Sequence, residues 1–437
     1  MRGACRSGRA MSGGAVLRGM TASLRVRNFR LFTLGQLASV TGTWMMFTAQ
    51  DWLVLRLTGD SAAALSAVTA AQFAPVLLLT LLGGRMADRY DKRRLLLAAN
   101  LASAVLACLL AAAALSGELR LWHIIGCAAG LGVVNAVEIP ARMSFVSEMV
   151  GGELLPNASA LSAAYFNTAR VLGPAAAGAL ISVWGAPAVM LLNTVSYLGT
   201  VVALARMRPQ ELYRGTARAA RGGVVAGLRY VAARRDLLLP LALVALLALV
   251  GFNFQVTLPL LARTVFGTGA GTFGLLTAAM AAGSLVAALV TTVRRGRPRQ
   301  RVVLAAAVAF GVAEIASGLA PTFPVALLSL ALTGFAMIVF SQAANHRIQL
   351  GTESAYRGRV MALYTVIYQG TTPVGALLTG WLAGAAGARS GLWVAGVICL
   401  AGALGACALA APRGRRSGAR PVPVRPEADE RASASSG

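Results

Sequence analysis

Gly84-Arg85-Met86-Ala87-Asp88-Arg89-Tyr90-Asp91-Lys92-Arg93-Arg94 places seven charges in eleven residues, and the stretch that follows, Leu95 to Leu115, carries none. The same alternation runs along the whole chain. Val302 to Leu319 holds a single acid, Glu314, while arginines crowd the gaps between apolar stretches. Charged residues make up 13% of the 437, against roughly 25% in a soluble domain. An α-helix rises 1.5 Å per residue, so about 20 apolar residues cover the roughly 30 Å of bilayer hydrocarbon.

Read this way, the chain predicts an all-α membrane protein with twelve transmembrane helices. The spans are expected near 29–55, 62–84, 95–115, 121–141, 157–182, 186–206, 237–261, 270–293, 302–320, 324–346, 360–384 and 391–411. The weakest separations are Trp184-Gly185-Ala186-Pro187 and Ala320-Pro321-Thr322-Phe323-Pro324. Residues 1–28 form a basic amino-terminal segment, 29–206 a first six-helix bundle and 207–236 a basic linker. A second six-helix bundle follows at 237–411, then a Pro-, Ser- and Arg-rich tail at 412–437 that is expected to be disordered.

The net charge of +25 follows the topology. With the amino terminus inside, 35 of the 40 basic residues fall on the inner side, and only Arg56, Arg120, Arg263 and Arg389 fall on the outer. Arg170 lies within a span. This positive-inside bias puts both termini in the cytoplasm and ties the basic charge to anionic headgroups, not to nucleic acid. Eight arginines lie between the sixth and seventh spans, against Glu211 and Asp236, and the Gly223–Arg235 stretch reads as lying along the inner membrane surface.

Several function classes are disfavoured. No GxxxxGK phosphate loop is present for an ATP-driven pump. His123 and His346 are isolated, with no HExxH or Ser/His arrangement for an intramembrane enzyme. Five cysteines show no paired metal spacing, so no metal and no cofactor is expected. Nothing demands the polar rings of a channel. That leaves a transporter, for which a proton gradient is the expected energy source.

Gly84 would let two helix ends approach closely, and Asp88, four residues on, could pair with basic groups or cap a neighbouring helix. Spacing alone fits a conformational latch and an ordinary basic loop equally well. Charges inside spans are candidates for function because they are costly there. Asp51 falls near the outer end of helix 1, either as a coupling group or as an interfacial acid beside Trp52. Glu138 shares a helical face with Asn135 and Arg142. Arg170 is the deepest cation and calls for an acid, carbonyls or water; an acid of helix 1 or helix 4 is the expected partner. Glu314 is expected to be neutral or hydrogen-bonded.

The residues also resemble a family. Gly84, Asp88, Arg89, Lys92 and Arg93 look like motif A of the major facilitator superfamily. Similarity to its drug and siderophore exporters, of the enterobactin-exporter and macrolide-efflux type, extends over nearly the whole membrane domain. It runs through Thr43-Trp44, Asp51-Trp52-Leu53-Val54-Leu55, Asn135 with Pro140-Ala141-Arg142, and Leu155-Pro156-Asn157-Ala158. Asn167 with Arg170 and Gly173-Pro174, Arg357-Gly358-Arg359-Val360-Met361-Ala362 and Pro373-Val374-Gly375-Ala376 complete it. The resemblance implies two pseudo-symmetric six-helix bundles that rock about a midplane site. It implies a latch at Gly84–Arg93, partnered by Glu138, and a pathway near Asp51, Asn135, Glu138, Arg142, Asn167 and Arg170. It also implies an antiporter-like element at Gly173, Pro174 and Gly178, and a loop role for Arg357 and Arg359. Two departures stand out: 294–299 lacks the glycine and aspartate of motif A, and Ala177 replaces a second glycine.

The expected function is proton-coupled export of a small amphipathic molecule (drug, siderophore or secondary metabolite), with uptake symport and lipid flipping as alternatives. The expected partners are that substrate and the bilayer, with the chain a monomer. Arginine outnumbers lysine thirty-nine to one and alanine is abundant, as in high-GC bacteria, so the expected location is a bacterial cell membrane. Met11 and Met20 follow Met1 in frame, and translation is expected to start at one of them. Intact-protein mass spectrometry checks this, and an amino terminus at Met1 would overturn it.

Overall fold

Two glycines decide how the longest helical run is cut. The run Leu121–Ala205 has 85 residues, about 128 Å if straight and several times a bilayer's thickness. Gly151 (φ 69°, ψ −179°) and Gly185 (φ 78°, ψ 167°) interrupt it. Only glycine adopts that backbone region without strain, so each reverses the chain without a long loop. Three helices result: α4 (121–150), α5 (152–184) and α6 (186–205).

In the computed structural model, residues 22–213, 224–292 and 296–410 are described. Residues 1–21, the middle of the basic linker, residues 293–295 and the tail lie outside them. The first three helices are α1 (Arg27–Thr58), α2 (Ala62–Arg89) and α3 (Lys92–Leu115). After α6 comes a short linker helix, α7 (Val224–Ala232). The seventh crossing is α8 (Arg235–Val250) followed by α9 (Phe254–Leu260), which ends in a π-helical turn, Leu261–Val265. Then come α10 (Ala270–Thr292), α11 (Gln300–Gly318) and α12 (Phe323–Gly351). The eleventh crossing is α13 (Ser354–Gly370) plus α14 (Thr372–Ala386), and α15 (Ser390–Ala410) closes the bundle.

Eight of the described helices are long and apolar enough to cross a membrane. The 85-residue run counts once among the eight, and its breaks at Gly151 and Gly185 make three crossings of it, so these helices account for ten crossings. The remaining two crossings are α1 and the α13–α14 pair. In α1 the polar side chains Gln36, Thr48, Gln50 and Asp51 are buried against protein, so they lower the hydropathy without meeting lipid. The eleventh crossing is interrupted at Thr371.

One expected boundary moves. Helix 4 was read as ending at 141, where Arg142 and Glu148 stop the apolar run, yet α4 continues to residue 150. Its last turns bury Phe145, Val146, Met149 and Val150 against Phe29 and Phe32, with Phe32 and Phe145 edge to face at 5.7 Å. That packing involves protein, not lipid, which a hydropathy window does not detect.

The two halves repeat one another in how their helices touch. A methyl group placed on Gly83 would strike the Ala136 carbonyl, and one on Gly132 the Gln72 carbonyl, so α2 and α4 meet backbone to backbone. In the second half Gly283 meets the Ala331 carbonyl and Gly334 the Met280 carbonyl, joining α10 to α12. These are the second and fourth crossings of each half. Small residues at such contacts are how helices associate in lipid, where close packing replaces the hydrophobic drive.

Lys92, Arg93 and Arg94 at the start of α3, Arg206 and Arg208 after α6, Arg234 and Arg235 at the start of α8, and Arg297 and Arg299 before α11 gather basic charge at one end of the bundle. Gly283→Leu should force α10 off α12 at a cost of about 1–3 kcal/mol, the usual range for overpacking. The check is a lowered apparent melting temperature in detergent; an unchanged value would refute the contact's importance.

Candidate functional site

The halves come together towards the end opposite the arginines. Gly178 of α5 sits against the Ala270 carbonyl, Gly271 and Gly274 of α10, and Gly274 in turn faces the Pro174 carbonyl. On the other side, Gly380 of α14 is pressed against Ser66 and the Ala62 carbonyl of α2, and Gly370 lies on Leu77. Arg263, in the π-helical turn, forms an ion pair with Asp60 and lies 5.2 Å from the Trp52 ring. Asp60 is held at φ 67°, a left-handed conformation unusual for a non-glycine residue. The helix 5 element is thus split between two neighbours, because Gly173 packs on Trp44 and the Thr41 carbonyl of α1 while Pro174 and Gly178 face α10.

At the arginine-rich end, the pairs Lys92–Glu148, Arg208–Glu211, Arg234–Asp236, Arg234–Glu353 and Arg297–Asp236 each join residues of one half. Lys92 pairs with Glu148 at 2.6 Å. Arg93 donates to the Leu204 and Ala205 carbonyls at 2.7 and 2.9 Å, capping the free carbonyls that end α6. Asp91 accepts the Arg94 amide at 3.0 Å, capping α3. Arg89 lies over Tyr90 at 5.9 Å. Asp88 is exposed and has no ion pair or hydrogen bond among the described residues, and a methyl on Gly84 would meet open space. The acid expected opposite Lys92 and Arg93 was Glu138; the structure places Glu148 there, ten residues along α4. Glu138 instead faces Arg142 at 3.6 Å.

The second half is braced in the same manner despite lacking the motif A glycine and aspartate. Asp236, at the start of α8, accepts from Arg297 at 2.9 Å and faces Arg234 at 3.5 Å. Burial alone would raise the Asp236 carboxyl, but the hydrogen bond from Arg297 and the charge of Arg234 outweigh it, leaving it below its ordinary value. A depressed folded value means that this bracing is complete above the unfolded carboxylate pKa of about 3.9 and fails only in acid below it. It is therefore not a switch near neutral pH. Arg234 also reaches Tyr230 and Glu353, and Tyr230 stacks on Tyr356 at 4.4 Å, docking α7 onto α13. Arg359 lies 5.3 Å from the Tyr356 ring, and Arg357 is exposed.

Between the sealed end and the arginines lies a central region with aromatic groups from both halves. From the first half come Trp44, packed edge to face with Phe47 at 5.8 Å and with Phe166 at 6.3 Å. Arg142 lies 6.0 Å from the Phe166 ring and donates to Gln36 at 3.4 Å. From the second half come Tyr364 and Tyr368, stacked at 5.8 Å, with Phe252 against Tyr368 at 5.8 Å.

The remaining expected residues are dispersed. Arg170 has no acidic partner among the described residues, against the expectation of a helix 1 or helix 4 carboxylate. Asp51 is buried in α1 beyond Gln50, which donates to Gln72 at 3.4 Å, and makes no ion pair. Asn135 is half-buried without a hydrogen bond among the described residues, and Asn167 donates to its own helix at the Ala163 carbonyl, 2.8 Å away. Glu314 is 1% exposed, and its Oε2 has no hydrogen-bond partner among the described residues. Sequence reading missed Glu148, Asp236, Gln36 and the Asp60–Arg263 pair. The acids were visible as the few negative charges beside basic clusters, but no spacing rule assigned their partners.

The family profile described as transmembrane secretion effector matches residues 18–429. The chain is 27% identical over 368 residues to the multidrug efflux pump Tap of Mycolicibacterium fortuitum, covering 82% of this chain and 89% of that protein. It is 24% identical over 380 residues to macrolide efflux protein A of Streptococcus pyogenes, covering 84% and 92%. With the staphyloferrin A transporter of Staphylococcus aureus it shares 26% over 254 residues, 57% and 63% of the two chains. Among solved structures, the nucleoside transporter NupG superposes with a TM-score of 0.70 at 10% identity, over 87% of this chain and 98% of that one. An inward-facing bacterial homologue of the lysosomal transporter Spinster gives 0.67 at 14%, over 89% and 96%. The chain belongs to the transmembrane secretion effector family and is a transporter with the major facilitator fold.

Proposed function

We propose that this protein is a proton-coupled exporter of small amphipathic organic molecules, working by alternating access in a bacterial cell membrane. The observation that carries the reading is the asymmetry of the inter-half contacts. Glycine-lined backbone contacts join the halves at one end, while at the other the pairs Lys92–Glu148 and Asp236–Arg297 brace each half within itself. With the arginine-rich end in the cytoplasm, as the positive-inside bias favours, this state loads from the inside. The names of the similar multidrug and macrolide efflux proteins support export. The aromatic lining suits apolar cargo.

In this reading Gly84 and Asp88 await the opposite state. When the arginine-rich end closes, the Gly84 surface admits a helix of the second half. Asp88 then meets the positive amino-terminal end of α13, near Arg357 and Arg359. Lys92 and Arg93 keep α3, α4 and α6 moving as one body throughout. Coupling requires a carboxylate that binds a proton in one state and releases it in the other. Glu138 is the first candidate, a reading supported by its partner Arg142, which also donates to Gln36 and lies 6.0 Å from the Phe166 ring. Asp51, buried towards the sealed end, is the second candidate.

Dye extrusion from cells, measured with and without a protonophore, tests the reading. Expression should lower dye retention, and the protonophore should abolish the effect. Uncoupler-insensitive extrusion, or accumulation that rises on expression, would sink it, the latter in favour of uptake. Glu138→Gln should impair extrusion; full activity would remove Glu138 from the mechanism. Asp88→Asn should slow transport about 2- to 5-fold, the worth of one carboxylate at a helix amino terminus, while substrate binding is retained. Loss of binding by Asp88→Asn would contradict a role confined to the closed state.

A further inference from the structure

One nitrogen of Arg142 stands between two oxygens. Its Nη1 lies 3.6 Å from Oε1 of Glu138, on the same helix, and donates to Oε1 of Gln36 on α1 at 3.4 Å. A charge-assisted contact settles at about 2.7–2.9 Å, so neither acceptor holds the guanidinium fully. The three groups are largely out of water. Gln36 is 1% exposed, and the side chains of Arg142 and Glu138 are 20% and 10% exposed.

Packing alone does not account for the Gln36 amide. Its Nε2 is buried with no acceptor among the described residues, and an unmet buried donor is costly. Methionine would fill a similar volume without that cost. The oxygen is therefore the part of the amide in use, and Arg142 is what it meets. With Glu138 ionised, the guanidinium has one charged and one neutral acceptor. With Glu138 protonated, the attraction between opposite charges is gone and the Gln36 oxygen is the acceptor that remains. A largely buried guanidinium left with none would be strongly disfavoured. The same guanidinium lies 6.0 Å from the Phe166 ring, which packs on Trp44 at 6.3 Å, so its resting place is felt by the first-half aromatic groups.

We propose that Gln36 is a positioning residue for the proton-binding step: it receives Arg142 when Glu138 takes up a proton and gives it back when the proton leaves. The cation passes between two oxygens and is never stranded. This rests on the reading of Glu138 as the coupling carboxylate, and it names what sets the pH at which that carboxylate works. Without the Gln36 oxygen, protonation strands Arg142, so proton uptake needs a lower pH. A carboxylate in its place keeps an acceptor in both states and adds a second negative charge, so uptake occurs at higher pH. The other titratable groups in electrostatic range are Tyr165 of α5 and Tyr197 of α6, phenols whose ordinary value of about 10 leaves them neutral near pH 7. Helices α2 and α3 also pack on α4, and neither brings an ion-pair partner to Glu138 or Arg142 among the described residues.

Infrared difference spectroscopy on the full-length protein in phosphatidylcholine nanodiscs tests this, following the band of protonated carboxyl groups as pH is varied. The part of the band that Glu138→Gln removes belongs to Glu138, and its midpoint pH is the quantity measured. Gln36→Met should lower that midpoint by about one pH unit, a tenfold change and the scale of one hydrogen bond to a charged group. Gln36→Glu, compared with its own Glu138→Gln double variant, should raise it. A side chain that only fills space would not move the midpoint in opposite directions. In an Arg142→Gln background, Gln36→Met should have no effect. An unshifted midpoint in Gln36→Met, or shifts of the same sign in both variants, would overturn the proposal and leave Glu138 as the coupling group. If Gln36→Met gives no single peak on size exclusion, Gln36→Glu decides alone, and an unchanged or lowered midpoint there overturns the proposal. If Glu138→Gln removes no part of the band, Glu138 takes up no proton, and the reading of Glu138 fails together with this one.

Discussion

Helices immersed in hydrocarbon gain little from hiding apolar side chains from one another, because lipid is as apolar as leucine. What holds them is close approach of backbones, and that requires positions without a side chain. The structure uses this constraint twice. Within each half, Gly83, Gly132, Gly283 and Gly334 fix the second crossing to the fourth. Between the halves, Gly178, Gly274 and Gly380 make the seam. The internal contacts pin each bundle as a body. The seam is the contact that has to part if the two bodies are to rock.

Electrostatics divides the same way. The ion pairs at the arginine-rich end tie each half to itself: Lys92 to Glu148 in the first, Asp236 to Arg234 and Arg297 in the second. The ion pair that crosses between halves, Asp60 to Arg263, lies at the sealed end beside Trp52. Charges near water are cheap to pair and cheap to release, since solvent can replace either partner. A seam made of glycine contacts and one partly exposed ion pair can therefore open without leaving a buried charge stranded.

Much of the fold was legible because hydropathy and breakers report directly on lipid and on backbone. Gly185 and Pro321 marked real chain reversals, and the apolar stretches gave the crossings. The end of α4 was not legible, since Phe145 and Met149 pack on Phe29 and Phe32 beyond the last apolar run. Ion-pair partners were harder still. Glu138 and Glu148 lie on one helix, and which of them meets Lys92 depends on how α3 leans against α4. The second half's brace escaped notice because its acid, Asp236, enters from the linker side and not from the loop that holds Arg297. That Arg170 has no acidic partner among the described residues could not be read either, because sequence shows that an acid exists but not that it is already engaged.

The pairing of Lys92 with Glu148 has a consequence for how this protein can be handled. Lys92 is the chain's single lysine, so a lysine-specific protease has one peptide bond to cut, at the entry to α3. Its side chain is 16% exposed while the pair is closed. Cleavage there requires the ammonium to leave Glu148 and the first helical turn to fray. The rate at which the intact chain becomes two fragments therefore reads, with no label attached, how often that corner of the first bundle lets go.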